Sequence, residues 1–482
     1  MIQTLKKYFP EIGISLFILL NTLFLANEVL YLNILPVVLI LVFVAILKPS
    51  WLIPVVIFST PLSFNFEDLD LGGVGFYFPT EPILFGLLLL YVVRLFYSNP
   101  VALKILKHPI SIVVVMQLIW LGVAAYTSSM PMISLKFVIS RLWFVIALFY
   151  LSADMFRVNQ KRIPVFVWLY VVPLIIVVGY TLVNHAGHGF NDKSAHWVMY
   201  PFYKDHTSYG AVLAMYIPAV VGLIYYYRKR VLFQNLAFTA LGILLIAVVF
   251  SYTRAAWVSI LGAVGVLTLV VFRIKFSVVM MGIVAFLGVF LLYQDVLWDR
   301  LEKNKQDSSS NLSEHVESIS NVSSDASNLE RLNRWNSAVR MWMEKPFFGF
   351  GPGTYMFKYA PFQSSKDLTI ISTNTSDGGN AHSEYLGPLA ETGFIGSLLV
   401  LALVIVTLWY GLPLYHSLES NALRCLALSL ALGLITYYLH GILNNYLDTD
   451  KLSVPFWTFT ASLLVLDLYG KKRTDEDAEY TA

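Results

Sequence analysis

Fourteen apolar runs closed off by charges or turn residues follow one another along the chain, at 11–27, 33–47, 51–64, 80–97, 109–127, 133–152, 163–184, 207–227, 232–251, 255–272, 276–294, 394–413, 421–443 and 453–469. A helix needs about 20 apolar residues to cross bilayer hydrocarbon, where only a structure that satisfies its own backbone can span. The pattern predicts an all-α polytopic membrane protein with about 12–14 transmembrane helices. The runs at 33–47 and 51–64 are short, carry Pro36 and Pro54, and suit a broken or re-entrant pair. Of 482 residues 57% are hydrophobic and 13% charged, where soluble domains carry about a quarter charged. That balance excludes a soluble enzyme, a disordered regulator and a fibrous protein.

A net charge of +3 without a basic face gives no footprint for nucleic acid. The single cysteine, Cys425, excludes an intrachain disulfide. Lys6 and Lys7 precede the first run and no small-residue cleavage site follows it, so that run is read as a retained helix. The other basic clusters are Lys104/Lys107, Arg157/Lys161/Arg162, Arg228/Lys229/Arg230, Arg273/Lys275 and Lys471/Lys472/Arg473. With alternating spans all of them fall on one side, which the positive-inside rule makes cytoplasmic together with both termini. The connections at 65–79, 128–132, 185–206, 252–254 and 444–452 then face outward.

One connection is far longer than the rest. Residues 1–294 form an N-terminal transmembrane bundle of about eleven spans, 295–393 one large outward loop, 394–470 the C-terminal helices, and 471–482 a cytoplasmic tail. Within the loop, 306–328 is Ser- and Asn-rich and reads as a flexible linker, while 329–393 has helical pattern. Asn311, Asn321 and Asn374 begin Asn-x-Ser/Thr sequons that chance alone supplies.

Chemistry is sought where charge meets an apolar frame on the outward side. At 100° per residue, Leu332, Trp335, Ala338, Val339, Trp342 and Met343 form an apolar stripe that contains Arg331. Arg334 flanks it, and Arg340 lies opposite with Asn333, Ser337 and Glu344. Packing of the stripe would carry Arg331 into the contact and leave Arg340 in water. A guanidinium held there calls for a phosphate or carboxylate, against the plainer reading of a snorkelling Arg. The segment FFGFGPGTY that follows has Gly349, Gly351 and Gly353 for a tight turn, without the Lys and Ser/Thr of a P-loop. Asn380 is a plausible N-cap for a helix that starts with His382 in its first turn, a place for an anion or for an imidazole base. Arg254 lies in the turn Ser251-Tyr-Thr-Arg-Ala-Ala-Trp257, and its plain reading is an interfacial anchor. Lys136 and Arg141 sit inside an apolar run, Arg141 roughly 13 Å deep, where a charge is costly and should face a polar cavity or an acidic partner. Lys204, Asp205, His206, His440, Asn444, Asn445, Asp448 and Asp450 can line the same outward cavity. His185, His188 and His196 have no recognised ligand spacing, so no metal is expected.

Three segments taken together, SYTRAAW at 251–257, RLNRWNSAVRMWMEKPFFGFGPGTY at 331–355 and NAHSEYLGPLAETGFIG at 380–396, resemble the hallmark region of the O-antigen ligase and polymerase superfamily. The resemblance spans about 205–400. It implies a bacterial inner-membrane glycosyltransferase with a large periplasmic loop, no cofactor, an undecaprenyl-diphosphate-linked glycan as donor, and lipid A-core or another glycan as acceptor. Arg254 matches the Arg of the Ser-x-(Ser/Thr)-Arg turn, Arg331 the loop Arg four residues before a Trp (Trp335), and His382 the His of a His-Asn-x-Tyr-Leu motif. Ser383 replaces that motif's Asn. These matches imply His382, Arg331 and Arg254 as catalytic residues, with Arg141, Lys136, Arg334, Tyr385, Trp335, His206 and Asp205 as substrate-binding candidates. Ligase is the first expectation and polymerase the second. Arg340 to Gly351 also fits an Arg-x10-Gly spacing associated with polymerases. From another class, a lipid or sugar exporter would spread polar residues through the membrane to both faces, and here they gather toward one. No protein partner is implied.

Overall fold

A computed structural model describes residues 2–26, 35–36, 44, 51–65, 76–97, 101–274, 277–278, 281, 288, 326–365, 368, 372 and 379–471. The expected spans at 33–47 and 276–294, the 306–328 linker up to residue 325, the three sequons, Lys275, Lys472 and Arg473 lie outside these residues or nearly so. The chain divides into two units, Met1–Val55 and Val56–Ala482. The first contains α1 (Ile2–Ala26) and the start of α2 (Leu52–Ser59).

The second unit is helical apart from a two-residue hairpin pairing Phe64 with Phe78 and Asn65 with Tyr77. Its long helices are α3 (Thr80–Leu95), α4 (Pro109–Tyr126), α5 (Pro131–Phe144), α6 (Arg162–Gly187), α7 (His206–Tyr226), α8 (Val231–Phe250), α9 (Arg254–Val271), α10 (Ala326–Glu344), α11 (Leu386–Gly411), α12 (Asn421–His440) and α13 (Asp450–Tyr469). A π-helical stretch, Val145–Leu151, continues α5 toward Val158. Among the described residues nine helices are long and apolar enough to cross a membrane. The protein is an all-α polytopic membrane protein. The runs at 11–27, 51–64 and 80–97 are not among the nine: their apolar helices cover Ile14–Ala26, Leu52–Leu62 and Thr80–Leu95, and the second is only about 16 Å long at 1.5 Å per residue, half the hydrocarbon thickness.

Local chemistry sets many helix starts. Pro109 and Pro131 occupy first-turn positions where a missing N–H costs nothing. Asp205 caps α7, its Oδ1 accepting from Ser208 N at 2.7 Å, and Ser420 caps α12 through Leu423 N.

Two kinds of helix result. In α7 and α13, 83% of the membrane-length window is buried, against 17% in α9. The first two, with α12, form the centre; α9 and the outer part of α11 turn large apolar side chains such as Leu261 and Ile405 outward, as lipid-facing helices do. At Gly433 of α12 a side chain would come within 2.6 Å of the Met215 carbonyl, so glycine lets α12 and α7 approach closely.

Helix ends sort by chemistry. Lys104, Lys107, Arg157, Arg162, Arg228 to Arg230, Arg273 and Lys471 lie at one end of the alternating helices, where His108 Nε2 meets Asp467 Oδ2 at 3.2 Å and Arg273 Nη2 meets His416 Nδ1 at 3.4 Å. The opposite end, called the site end below, gathers the connections at 127–130, 188–205, 251–253, 345–365, 379–385 and 441–449.

Candidate functional site

Three chain segments meet at the site end around His206, the first residue of α7. The turn before α9 is fixed there: Tyr252 adopts φ 49°, and Thr253 Oγ1 donates to the His206 carbonyl at 2.7 Å. Arg254 therefore starts α9 next to His206, and its charge is felt at that imidazole, as is that of Arg331. The rings of His206 and His196 lie with centroids 4.0 Å apart, tilted 54° to each other. Arg331 also acts on His382, His440 and Tyr446. Residues 254, 331 and 382, remote in sequence, share one electrostatic neighbourhood.

Helix α10 buries a different face from the one its apolar stripe predicts. Its buried side chains are Glu330, Asn333, Arg334, Ser337, Ala338 and Met341, whereas Met343 of the stripe is 68% exposed. The reason is a polar partner surface: Asn333 Nδ2 donates to Gln363 Oε1 at 2.7 Å, Tyr355 OH donates to the Arg334 carbonyl at 2.8 Å, and Ser372 Oγ bonds Glu330. Arg334 is taken up by the loop itself. Its Nε donates to Glu330 Oε1 at 2.6 Å, its guanidinium lies 4.1 Å from the Tyr359 ring centre, and it fills the space over Gly379. Although burial works against Glu330, hydrogen bonds from Ser372 and Arg334 hold its carboxyl below the usual range. Arg340 is not left in water either: its Nη1 donates to the Phe362 carbonyl at 2.8 Å.

The segment before α11 also departs from expectation. The helix starts at Leu386, so His382 precedes it, with φ 48°. Asn380 does not cap this helix; its Oδ1 accepts the His382 N–H at 3.1 Å. Ser383 takes the capping role, its Oγ accepting from Tyr385 N and Leu386 N, each at 3.3 Å. Trp335 Nε1 donates to the His382 carbonyl at 3.2 Å, which joins α10 to this turn. Burial, reinforced by the charges of Arg331 and Arg334, pulls the His382 imidazole down to about 4, against the nearby Asn444 amide, which favours its charged form. Such a ring is neutral at pH 7 and has a lone pair to offer.

The glycine turn is an internal anion cradle. Tyr355 N donates to Glu391 Oε1 at 3.0 Å, and Gly353 N bonds the same carboxyl group. Gly351, at φ 114°, lies where a side chain would strike Ser128 Oγ at 1.9 Å, and Ser134 Oγ donates to the Pro352 carbonyl at 2.8 Å. The turn thus docks α10 onto the α4–α5 connection.

Arg141 does face a polar-rimmed cavity. The cavity encloses about 780 Å³ including its mouth, and is lined by Arg141, Glu384, Tyr385 and Glu391 with apolar groups such as Leu403 and Trp457. Arg141 Nη1 donates to the Leu447 carbonyl at 3.0 Å, and its charge is felt at Glu384, Glu391 and Asp448. These acids come from distant segments, so neighbouring spans gave no sign of them. Burial raises Glu384 above ordinary carboxyl values, while the Tyr437 hydrogen bond opposes it. Tyr385 lines the cavity but donates its hydroxyl to the Tyr438 carbonyl at 2.9 Å. Lys136 is exposed and its charge reaches Glu81, which sets it apart from the His382 group. Asp205 caps α7 and its charge reaches His440 and Tyr446.

His185 and His188 bond the Asn191 and Asn184 carbonyls, at 2.9 and 2.8 Å, and do not converge with His196. Sequence reading missed Glu384 and Glu391. Glu384 stands inside the His-Ser-Glu-Tyr motif, and a carboxylate so near a helix start that faces apolar spans was the available signal.

Residues 236–401, which contain Arg254, Arg331 and His382, match the family described as O-antigen ligase. No curated protein matches the chain.

Proposed function

We propose that the chain, whose residues 236–401 match the family described as O-antigen ligase, is an inverting glycosyltransferase of the bacterial inner membrane. In this reading it moves a glycan from undecaprenyl diphosphate to an acceptor hydroxyl, first of all on lipid A-core, at the periplasmic face. The site end is then periplasmic, both termini are cytoplasmic, and residues 295–393 form the periplasmic loop.

One observation carries the reading: the charge of Arg331 reaches both His206 and His382, and that of Arg254, remote in sequence, reaches His206 as well. A sugar diphosphate already has a good leaving group. It needs positive charge that grows more favourable as the anomeric C–O bond breaks, and guanidiniums fixed beforehand supply it. Arg254 and Arg331 hold the diphosphate. The acceptor oxygen attacks the anomeric carbon from the opposite side, the bond to the diphosphate breaks with its electron pair leaving on undecaprenyl diphosphate, and His382 takes the hydroxyl proton. No metal is needed for these steps. Donor binding also strengthens the base, since an anion beside Arg331 offsets the charge that now drives the proton off His382.

Polymerase, of the same superfamily, is the second reading. Deleting the gene in its own bacterium and resolving surface glycolipids by size tests both. A ligase requires capped lipid A-core to vanish while long polymer accumulates on undecaprenyl diphosphate. Single repeat units still attached to core would instead mean polymerase.

A further inference from the structure

We propose that Glu384 is a positioning residue for glycan transfer: it brackets the 441–447 loop and, through Asn444 at the loop's centre, sets the imidazole of His382. The inference rests on the reading of His382 as the base. Glu384 holds the loop at both ends. Its backbone N–H donates to the Gly441 carbonyl at 2.8 Å, and its Oε1 accepts from Tyr446 N at 2.7 Å and Leu447 N at 3.0 Å, with the Tyr437 hydroxyl on the same oxygen. Arg141 steadies the far side by donating to the Leu447 carbonyl. Midway between these anchors lies Asn444, 3% exposed. Its amide lies close enough to the His382 imidazole to favour the charged ring, and its Nδ2 lies 3.2 Å from His440 Nε2.

The loop is neither helix nor strand at 444–446, so its N–H groups need an acceptor from elsewhere, and a buried carboxylate supplies it. An amide held against one ring nitrogen fixes the imidazole's orientation and leaves the other nitrogen to receive a proton, the arrangement by which a supporting residue tunes a histidine. Losing Glu384 takes the acceptor from the Leu447 N–H and leaves the Tyr446 N–H only its longer bond to the Tyr437 hydroxyl, at 3.3 Å, so the loop shifts to find partners. A displacement of about 1 Å at a reacting group can cost about 100-fold in rate.

The test uses the full-length protein in lipid nanodiscs, with the lipid-linked glycan that accumulates in cells lacking the protein as donor and undecaprenyl diphosphate as binding probe. Glu384→Ala is expected to lower kcat about 10–100-fold while the donor KM and probe affinity stay within about threefold. Glu384→Gln keeps an accepting oxygen and should restore most of the rate. Adding Glu384→Ala to His382→Ala should cause no further loss, since both act through one imidazole. Full activity in Glu384→Ala, with His382→Ala inactive, overturns the proposal and leaves the base intact. Equal failure of the Ala and Gln variants, with probe binding lost, also overturns it by showing a merely structural role. An active His382→Ala removes the underlying reading of the base instead.

Discussion

Two groups of buried charge lie near the start of α13 and the start of α11, and they are built on opposite plans. At α13, Lys451 Nζ has oxygen acceptors in the carbonyls of Thr60 and Ser63 and in Ser63 Oγ, the last two at 2.6 Å. Asp450 Oδ2 accepts from Thr80 Oγ1 at 2.6 Å and from Ser63 Oγ, so one hydroxyl joins the two charges. At α11, Arg331, Arg334 and Arg254 crowd cationic charge around two imidazoles. The first arrangement satisfies charge inside the protein and holds the 60–80 segment against α13. The second sets three guanidiniums against two acids, Glu330 on Arg334 and Asp205 near His206, and the excess of positive charge favours an anionic ligand from outside. Burial alone does not mark a functional charge; the sign of its neighbours does.

The largest effect that sharpens this contrast is on stability. Lys451→Met takes from the buried Thr60 and Ser63 carbonyls the donor they share, and each buried polar group left short of a partner costs about 1–3 kcal/mol. The thermal unfolding midpoint of the purified protein should fall clearly, whereas Arg331→Ala should leave it in place. An unchanged midpoint in Lys451→Met would undo the distinction from that side. Next in size is catalysis: Arg331→Ala should lower transfer by about 100–1000-fold, as removal of a fixed transition-state donor does, in protein that still inserts. Retained transfer would remove Arg331 from the reaction.

A smaller effect is in pH dependence. Burial and two arginines lower His382 to about 4 in the free protein, so the His382 acid limb of kcat/KM should lie near there, with the base available above it. Bound diphosphate is an anion and favours the protonated ring, so the acid limb of kcat should lie at higher pH. Coincident limbs would mean that donor charge does not reach the imidazole. Smallest is Arg340→Ala, which loses a hydrogen bond worth about 1 kcal/mol and should keep transfer within about threefold. A large loss of transfer there would shift the assignment toward a polymerase.

The membrane helices were legible in the sequence, and so were the motifs that carry Arg254, Arg331 and His382, while the fold adds that the charge of Arg331 reaches His382. Apolar run length reports a solvent directly, and the three motifs name side chains whatever their partners. Which face α10 buries was not legible, because periodicity tells which residues share a face and not which face meets a partner. Asn333 and Arg334 go inward since Gln363, Tyr355 and Ser372 offer them polar contacts. The glycine turn reads as a tight turn, but its occupant, Glu391, comes from a segment nearly forty residues on. The Glu384 bracket spans some sixty residues and depends on how α11 and α12 end beside each other. Expecting Asn380 to cap α11 failed for a local reason: Ser383 lies at hydrogen-bond distance from the first free N–H groups of the helix, and Asn380 is spent on His382 N.

The most direct test of the central claim is a single-turnover comparison of His382→Ala with the unaltered protein, using the accumulated lipid-linked glycan as donor and measuring undecaprenyl diphosphate binding in parallel. Transfer is predicted to fall by about 100–10,000-fold, the range for loss of a general base, with binding kept within about threefold. Unchanged turnover, or a loss of binding as large as the loss of transfer, would contradict the assignment of His382 as the base beside an arginine-held diphosphate.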